Sequence, residues 1–175
     1  RSAAAYAALS KAFAERRIEK SYLAICWGEL RPPDGSIDAP IARHRVKRKQ
    51  MTVASHGRPA VTHFRTVASA GGVSLIELDL ETGRTHQIRV HLKHSGHPLL
   101  GDPVYGAARW KELSRARRSA PRDFPRPALH AWRIALDHPV TERRLEIESP
   151  PPRDLVELWA ALSNAPLDRL LAPPD

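Results

Sequence analysis

Cysteine occurs once in these 175 residues, as Cys26, and methionine once, as Met51. A lone cysteine excludes an internal disulfide and any zinc cluster built on several thiolates. It lies between Ile25 and Trp27 in an apolar stretch, so it reads as a small core residue in a reducing compartment, the cytoplasm. No apolar run is long enough to span a bilayer, and no charged-then-apolar leader opens the chain. That second absence carries little weight if the natural N-terminus lies upstream. Acidic residues are also short: 19 Asp and Glu face 28 Lys and Arg, for a net charge of +9. Such a balance favours an anionic partner, whether nucleic acid, anionic membrane or acidic protein. The cations fall in two groups, Arg43, Arg45, Lys47, Arg48 and Lys49, and then Arg109, Lys111, Arg115, Arg117, Arg118, Arg122 and Arg126. Solvated basic loops and phosphate-contacting surfaces both fit such runs.

With 42% hydrophobic and 27% charged residues, the chain has a globular composition and the length of one domain. A helix is predicted over 2–17, capped by Ser2, with Tyr6, Leu9 and Phe13 on one face. Residues 20–27 form a strand apolar on both faces, which belongs in the middle of a sheet. Further strands are predicted at 36–42, 51–55, 60–69, 73–81, 128–137 and 143–149. Residues 107–127, basic and carrying Pro121 and Pro125, read as a long insertion with room to move. Asp154 opens a last helix with Leu155, Leu158, Trp159 and Leu162 on one stripe, and residues from 167 onward read as a frayed tail. Hairpin-connected strands outnumber helices, which predicts an α+β domain with a mixed, largely antiparallel sheet and flanking helices.

The densest information lies in Thr82-Gly83-Arg84-Thr85-His86-Gln87-Ile88-Arg89-Val90-His91-Leu92. A strand ends at Gly83, Thr85 caps a helix running to Gly96 and Pro98, and Arg84 occupies the corner between them. Loops held by rigid elements tend to carry function, although a surface arginine in a turn satisfies the same pattern. His86, His91, His94 and His97 do not converge on a metal site, because only His91 and His94 are neighbours on a helix. No metal or other cofactor is expected. Asp102, within Gly101-Asp102-Pro103, reads as a turn-stabilising side chain.

Four ordered stretches resemble the RluA family of pseudouridine synthases. They are the arginine motif with Gly101-Asp102-Pro103-Val104-Tyr105-Gly106 after it; Arg17-Ile18-Glu19-Lys20-Ser21-Tyr22-Leu23-Ala24; Gly57-Arg58-Pro59-Ala60-Val61-Thr62-His63; and Leu129-His130-Ala131. Pro40-Ile41-Ala42-Arg43-His44 through Lys47-Arg48 and Met51 is similar to the branch acting on large-subunit ribosomal RNA, the RluD-like enzymes. The resemblance implies isomerisation of uridine to pseudouridine in structured RNA, rRNA first and tRNA second, without cofactor. It assigns Arg84 to hold a nucleophilic aspartate ionised, and Tyr22 to stack on the extruded base and assist proton removal at C5. His86, Gln87 and Arg89 become substrate-binding groups beside the pocket, and Arg43, Arg45, Lys47 and Arg48 phosphate contacts.

The family's His-Arg-Leu-Asp stretch, which carries the nucleophile, occurs nowhere in this chain. Residues 1–165 are therefore expected to be a catalytic domain lacking its N-terminal part, followed by a tail at 166–175 and inactive alone. Rival readings are a non-catalytic RNA-binding or ribosome-assembly module that kept the fold, and a basic ribosome-associated scaffold. Target nucleotide and oligomeric state are not written in the sequence; monomer is the default.

Overall fold

Residues 23–27, the most apolar run of the first strand, are completely or almost completely shielded from solvent. A strand apolar on both faces needs cover on both, and the computed structural model, which describes residues 3–106 and 109–167, provides it. Helix α1 (Ala3–Ala14) precedes β1 (Glu19–Trp27), β2 (Asp34–Asp38), β3 (Ile41–Arg43), β4 (Met51–Val53), β5 (Val61–Ala70) and β6 (Val73–Leu80). Then come α2 (Gln87–His94), α3 (Ser119–Asp123), β7 (Leu129–Asp137), β8 (Arg144–Glu148) and α4 (Arg153–Ser163). Six strands make one sheet in the order β2-β5-β6-β1-β7-β8, and β3 pairs with β4 in a separate hairpin. Every pairing described is antiparallel. The α+β, largely antiparallel architecture is as expected.

Alternation along β1 divides the core in two. Ala24 and Cys26 face Ile88 and Leu92 of α2, together with Ile76, Leu78 and Leu99. Ile25 and Trp27 face the other way, onto Leu155, Leu158, Trp159 and Leu162 of α4. The predicted stripe of α4 is thus the buried one. Burial also pushes the Cys26 thiol up to about 12, which leaves it inert at neutral pH. Among the described residues no helix is long and apolar enough to cross a membrane.

Several local expectations are corrected. The strand predicted at 36–42 breaks at Ala39-Pro40 into β2 and β3, because Pro40 has no N–H to give a ladder. On α1 the buried residue is Ala12, packed with Ile18 and Leu136, whereas Tyr6 and Phe13 are 77% and 53% exposed. Ser2, its expected cap, lies outside the described residues. Thr85 does not cap α2. The cap position is His86, in left-handed backbone with no side-chain capping bond. Residues 109–127, read as part of a long insertion with room to move, are folded down: two 3₁₀ turns (Arg109–Glu112 and Arg115–Arg117) and α3 pack onto the core through Leu113 and Pro121. Leu167, placed in the tail by sequence, is buried against the α4 cluster.

Helix α2 is held to the sheet by polar bonds as well as by Ile88 and Leu92. Thr62, Thr82, Gln87 and His91 are all buried and bonded to one another. His91 Nε2 lies 2.9 Å from the Ala39 carbonyl, which can only accept, so the ring proton sits on Nε2. Its Nδ1 then accepts from the Thr62 hydroxyl at 2.9 Å. Gln87 Nε2 donates to Thr62 Oγ1 at 3.0 Å and to the Val61 carbonyl at 2.9 Å. Gln87 Oε1 accepts from Thr82 at 2.8 Å and from the Arg84 N–H at 2.9 Å.

Burial, reinforced by neighbouring His94, pushes the His91 pKa below its ordinary 6.5, against the pull of the Ala39 carbonyl and Asp38. The unfolded chain therefore takes up this proton first, and the stability tied to neutral His91 is complete above about pH 6.5. It is lost as pH falls through the lower folded value. A melting temperature flat between about pH 8 and 7, then falling toward about pH 5, is expected. His91→Phe should cost roughly 2–4 kcal/mol at about pH 8, since it strands the Ala39 carbonyl and the Thr62 hydroxyl, and should flatten the acid limb. Thermal melts of both proteins across this range test the point, and an unaltered acid limb in the variant would contradict it.

Candidate active site

Strand β6 ends at Leu80, and the chain turns through residues 81–86 before α2 begins. Arg84 is gripped on its backbone from both sides: its N–H donates to the Gln87 side chain and its carbonyl accepts from the Gln87 N–H at 3.0 Å. Its guanidinium Nε donates to the Pro59 carbonyl at 3.0 Å. Pro59 is itself fixed, because neighbouring Arg58 exchanges both backbone bonds with Ile41, each at 2.9 Å. A Cβ on Gly57 would stand 2.6 Å from the Ile41 carbonyl carbon, so only glycine permits this crossing.

Arg84 opens on a cavity of about 520 Å³ whose lining includes Phe13, Arg16, Lys20, Arg58 and Glu81. Four cations thus meet one carboxylate, and Glu81 already engages Arg16 at 3.9 Å and His63 at 3.5 Å. Among the described residues Arg84 has no carboxylate partner. Desolvation, followed by the charges of Arg58 and Arg16, lowers its pKa, but a guanidinium remains charged in any such setting. The cavity is a concentration of positive charge suited to an anion.

Tyr22 stands two residues beyond Lys20 on the same face of β1, opposite Leu78 and against the α2 side of the core. It is half-buried, and desolvation raises its pKa, so the phenol is neutral. It lies outside the residues that line the Arg84 cavity.

Of the residues read as substrate-binding, the structure brings His86 to the corner but turns two others inward. Gln87 is 2% exposed and its amide is fully used by protein groups, so it holds the Arg84 loop and presents nothing to a ligand. Arg89 makes a two-pronged pair with Asp102, both contacts at 2.7 Å, and covers the Tyr105 ring at 4.8 Å. Asp102 plays the expected turn role, accepting from the Val104 and Tyr105 N–H groups at 2.9 and 3.0 Å. Burial pushes its carboxyl pKa up, but the Arg89 hydrogen bonds, followed by those from the Tyr105 and Val104 N–H groups and the Arg89 charge, hold it below the ordinary 3.8. His86 has φ 57 and ψ 22, a left-handed conformation costly for a residue with a side chain. Its Nδ1 meets the Tyr105 hydroxyl at 2.9 Å, and desolvation followed by the Arg89 charge lowers its pKa.

Arg45, Lys47 and Arg48 lie exposed on the β3–β4 hairpin, where Arg43 Nη1 donates to the Arg48 carbonyl at 2.7 Å. The second basic run is largely committed internally: Arg109 to Glu112, Arg122 to Asp123, Arg126 to Asp154, and Arg118 to the carbonyls of Leu113 and Lys111. Sequence reasoning missed Lys20, Arg58 and Tyr105 as parts of the site, although all three lie inside the motifs quoted above. Lys20 was detectable, since it shares the strand face of Tyr22. Among the described residues no group of three or more His, Cys, Asp or Glu is disposed to hold a metal ion.

The family model described as RNA pseudouridylate synthase matches residues 1–94. A Nitrosomonas europaea protein named ribosomal large subunit pseudouridine synthase D is 42% identical over 165 residues, covering 94% of this chain and 47% of that protein. Its namesake in Escherichia coli K12 is 44% identical over 152 residues, 86% of this chain and 46% of that protein. The chain spans about half the length of the curated relatives it matches. Among solved structures, human RNA pseudouridylate synthase domain containing 1 superposes with a TM-score of 0.75 at 30% identity, covering 99% of this chain and 74% of that one. Human RNA pseudouridylate synthase domain containing 4 gives 0.67 at 25% identity, covering 88% and 66%. Fold, ordered motifs and a family match over more than half of the residues agree: this chain belongs to the RNA pseudouridylate synthase family, in its RluA branch.

Proposed function

We propose that this chain forms the arginine-bearing half of a site that converts uridine to pseudouridine in large-subunit ribosomal RNA. The observation that carries the reading is Arg84, fixed at a strand-to-helix corner, without a carboxylate partner among the described residues, in a cavity lined by four cations. The names of the relatives, ribosomal large subunit pseudouridine synthase D, support the RNA class. A cytoplasmic location agrees with the single buried thiol.

In this proposal the nucleophile is a carboxylate brought to Arg84 from outside these 175 residues. Enclosing a carboxylate in a pocket raises its pKa by up to 3–5 units at the extreme. A guanidinium about 4 Å away, at an effective dielectric of about 20, favours the ionised form by roughly 4 kcal/mol, or about three units. One fixed arginine therefore offsets most of the desolvation, and Arg58 and Lys20 supply the rest. The N1–C1′ bond of the target uridine breaks with its electron pair going to N1, the base turns, C5 bonds to C1′, and the proton lost from C5 is balanced by one taken up at N1. Tyr22, neutral and half-buried on the same strand as Lys20, packs against the extruded base. The exposed hairpin cations Arg45, Lys47 and Arg48 grip phosphates.

The 175-residue chain alone should show no turnover on rRNA, while a chain extended to the length of its relatives should be active. In that active form Arg84→Met should lower kcat by roughly 10²–10³-fold or more with RNA affinity nearly unchanged, and Arg84→Lys should fail substantially because an ammonium cannot copy a planar two-pronged contact. Wild-type turnover by either variant would sink the assignment of Arg84. An extended chain that binds RNA without modifying it would favour the non-catalytic module instead.

Affinity for RNA should fall steeply with salt, by roughly 0.7–0.9 in logarithmic slope per phosphate contacted. Reversing the charges of Arg45, Lys47 and Arg48 together should weaken binding to target and unrelated RNA alike. Salt titrations of both proteins on both RNAs decide this; a loss confined to one sequence would show that the hairpin does not act as a phosphate grip.

A further inference from the structure

A second cavity, of about 300 Å³, opens between the β3–β4 hairpin and the outer side of α2. Its lining contains His44, Lys47 and Gln50 from the hairpin and Lys93 and His94 from the helix, with no aspartate or glutamate among the described residues. Among the described residues neither Lys47 nor Lys93 has a carboxylate partner. The Lys93 ammonium lies over the Tyr105 ring, 5.8 Å from its centre. His44 Nδ1 accepts the N–H groups of Val46 and Lys47 at 3.2 and 3.1 Å, which leaves the ring proton on Nε2 as a donor. Two ammonium groups and an imidazole N–H thus share a pocket that offers no compensating anion. Like charges so placed are favourable only when an anion comes between them.

We propose that this cavity is a phosphate-binding subsite for RNA, made jointly by hairpin and helix and separate from the Arg84 cavity. It rests on the RNA reading above and deepens it. The subsite and the Arg84 corner share one support: the Tyr105 hydroxyl accepts from the Met51 N–H at 2.7 Å and meets His86 Nδ1 at 2.9 Å. A phosphate seated at Lys47 and Lys93 is therefore held at a fixed offset from Arg84, which sets where along the RNA strand the reacting nucleotide falls. Phosphate contacts position RNA in this way without reading its sequence.

The test is binding of the full chain to a large-subunit rRNA stem-loop, and to copies carrying one uncharged methylphosphonate at each position in turn. Lys93→Gln should weaken binding several-fold and reduce the salt slope by roughly 0.7–0.9, the share of one phosphate, at an unchanged melting temperature. Lys93→Arg, which keeps the charge, should retain both affinity and slope. One methylphosphonate position should weaken the wild-type complex but leave the Lys93→Gln complex unaffected. A wild-type slope in Lys93→Gln, or methylphosphonate losses equal in both proteins at every position, would overturn the subsite while leaving the RNA reading intact. A wild-type chain with no measurable affinity for any RNA would overturn both.

Discussion

The amide of Gln87 is the constraint on which the rest of the site depends. It has two donor hydrogens and one acceptor oxygen, and the structure uses all of them: two donations into β5 and two acceptances from the turn that carries Arg84. A buried amide of this kind cannot relax into solvent if one partner moves. Each stranded group costs about 1–3 kcal/mol, so the turn has one satisfied arrangement and several unsatisfied ones. Through Thr62 the same set of bonds reaches His91, and through His91 the Ala39 carbonyl at the break between β2 and β3. The first turn of α2, the edge of the sheet and the approach to the hairpin are thereby tied to one point.

A second support stands on the other side of the corner. Tyr105 is buried beneath Arg89, whose two-pronged contact with Asp102 is shielded from water on the carboxylate side. Its hydroxyl meets both Met51 and His86. Left-handed backbone at His86 is costly for a residue with a side chain, and it persists because Tyr105 and the Gln87 bonds hold it from both flanks. The arginine corner is thus braced from the sheet by one network and from the hairpin by another.

Charge follows the same division of labour. Cations that stabilise the fold are paired: Arg126 with Asp154 at the start of α4, Arg89 with Asp102, and Arg65 and Arg133 with Glu77 across strands of the sheet. Among the described residues, the hairpin, the outer side of α2 and the surroundings of Arg84 each hold cations without a carboxylate partner, among them Lys47, Lys93, Lys20 and Arg58.

Much of this was legible in the chain itself. Alternation and turn residues placed the strands, because a half-buried sheet imposes a period of two and glycine or proline marks its ends. The apolar stripe of α4, the core role of Cys26 and the turn role of Asp102 followed from local chemistry alone. Arg84 stood out because a strand, a glycine and a helix start meet within a few residues of it. What the sequence could not settle was which polar side chains face inward. Gln87 and Arg89 look like ligand groups when read in a line, yet both are consumed by partners 13 to 26 residues away in the chain. Tyr6 and Phe13 look like core and stand in solvent, because only the Ala12 side of α1 meets Ile18 and Leu136. The basic run at 109–126 looks like the hairpin's equal, but tertiary folding pairs most of it with carboxylates and carbonyls. Local pattern determines which segments are helix or strand and where they turn. Only packing decides whether a given donor is spent on the protein or left for a ligand, since that depends on what the fold brings within about 3 Å of it.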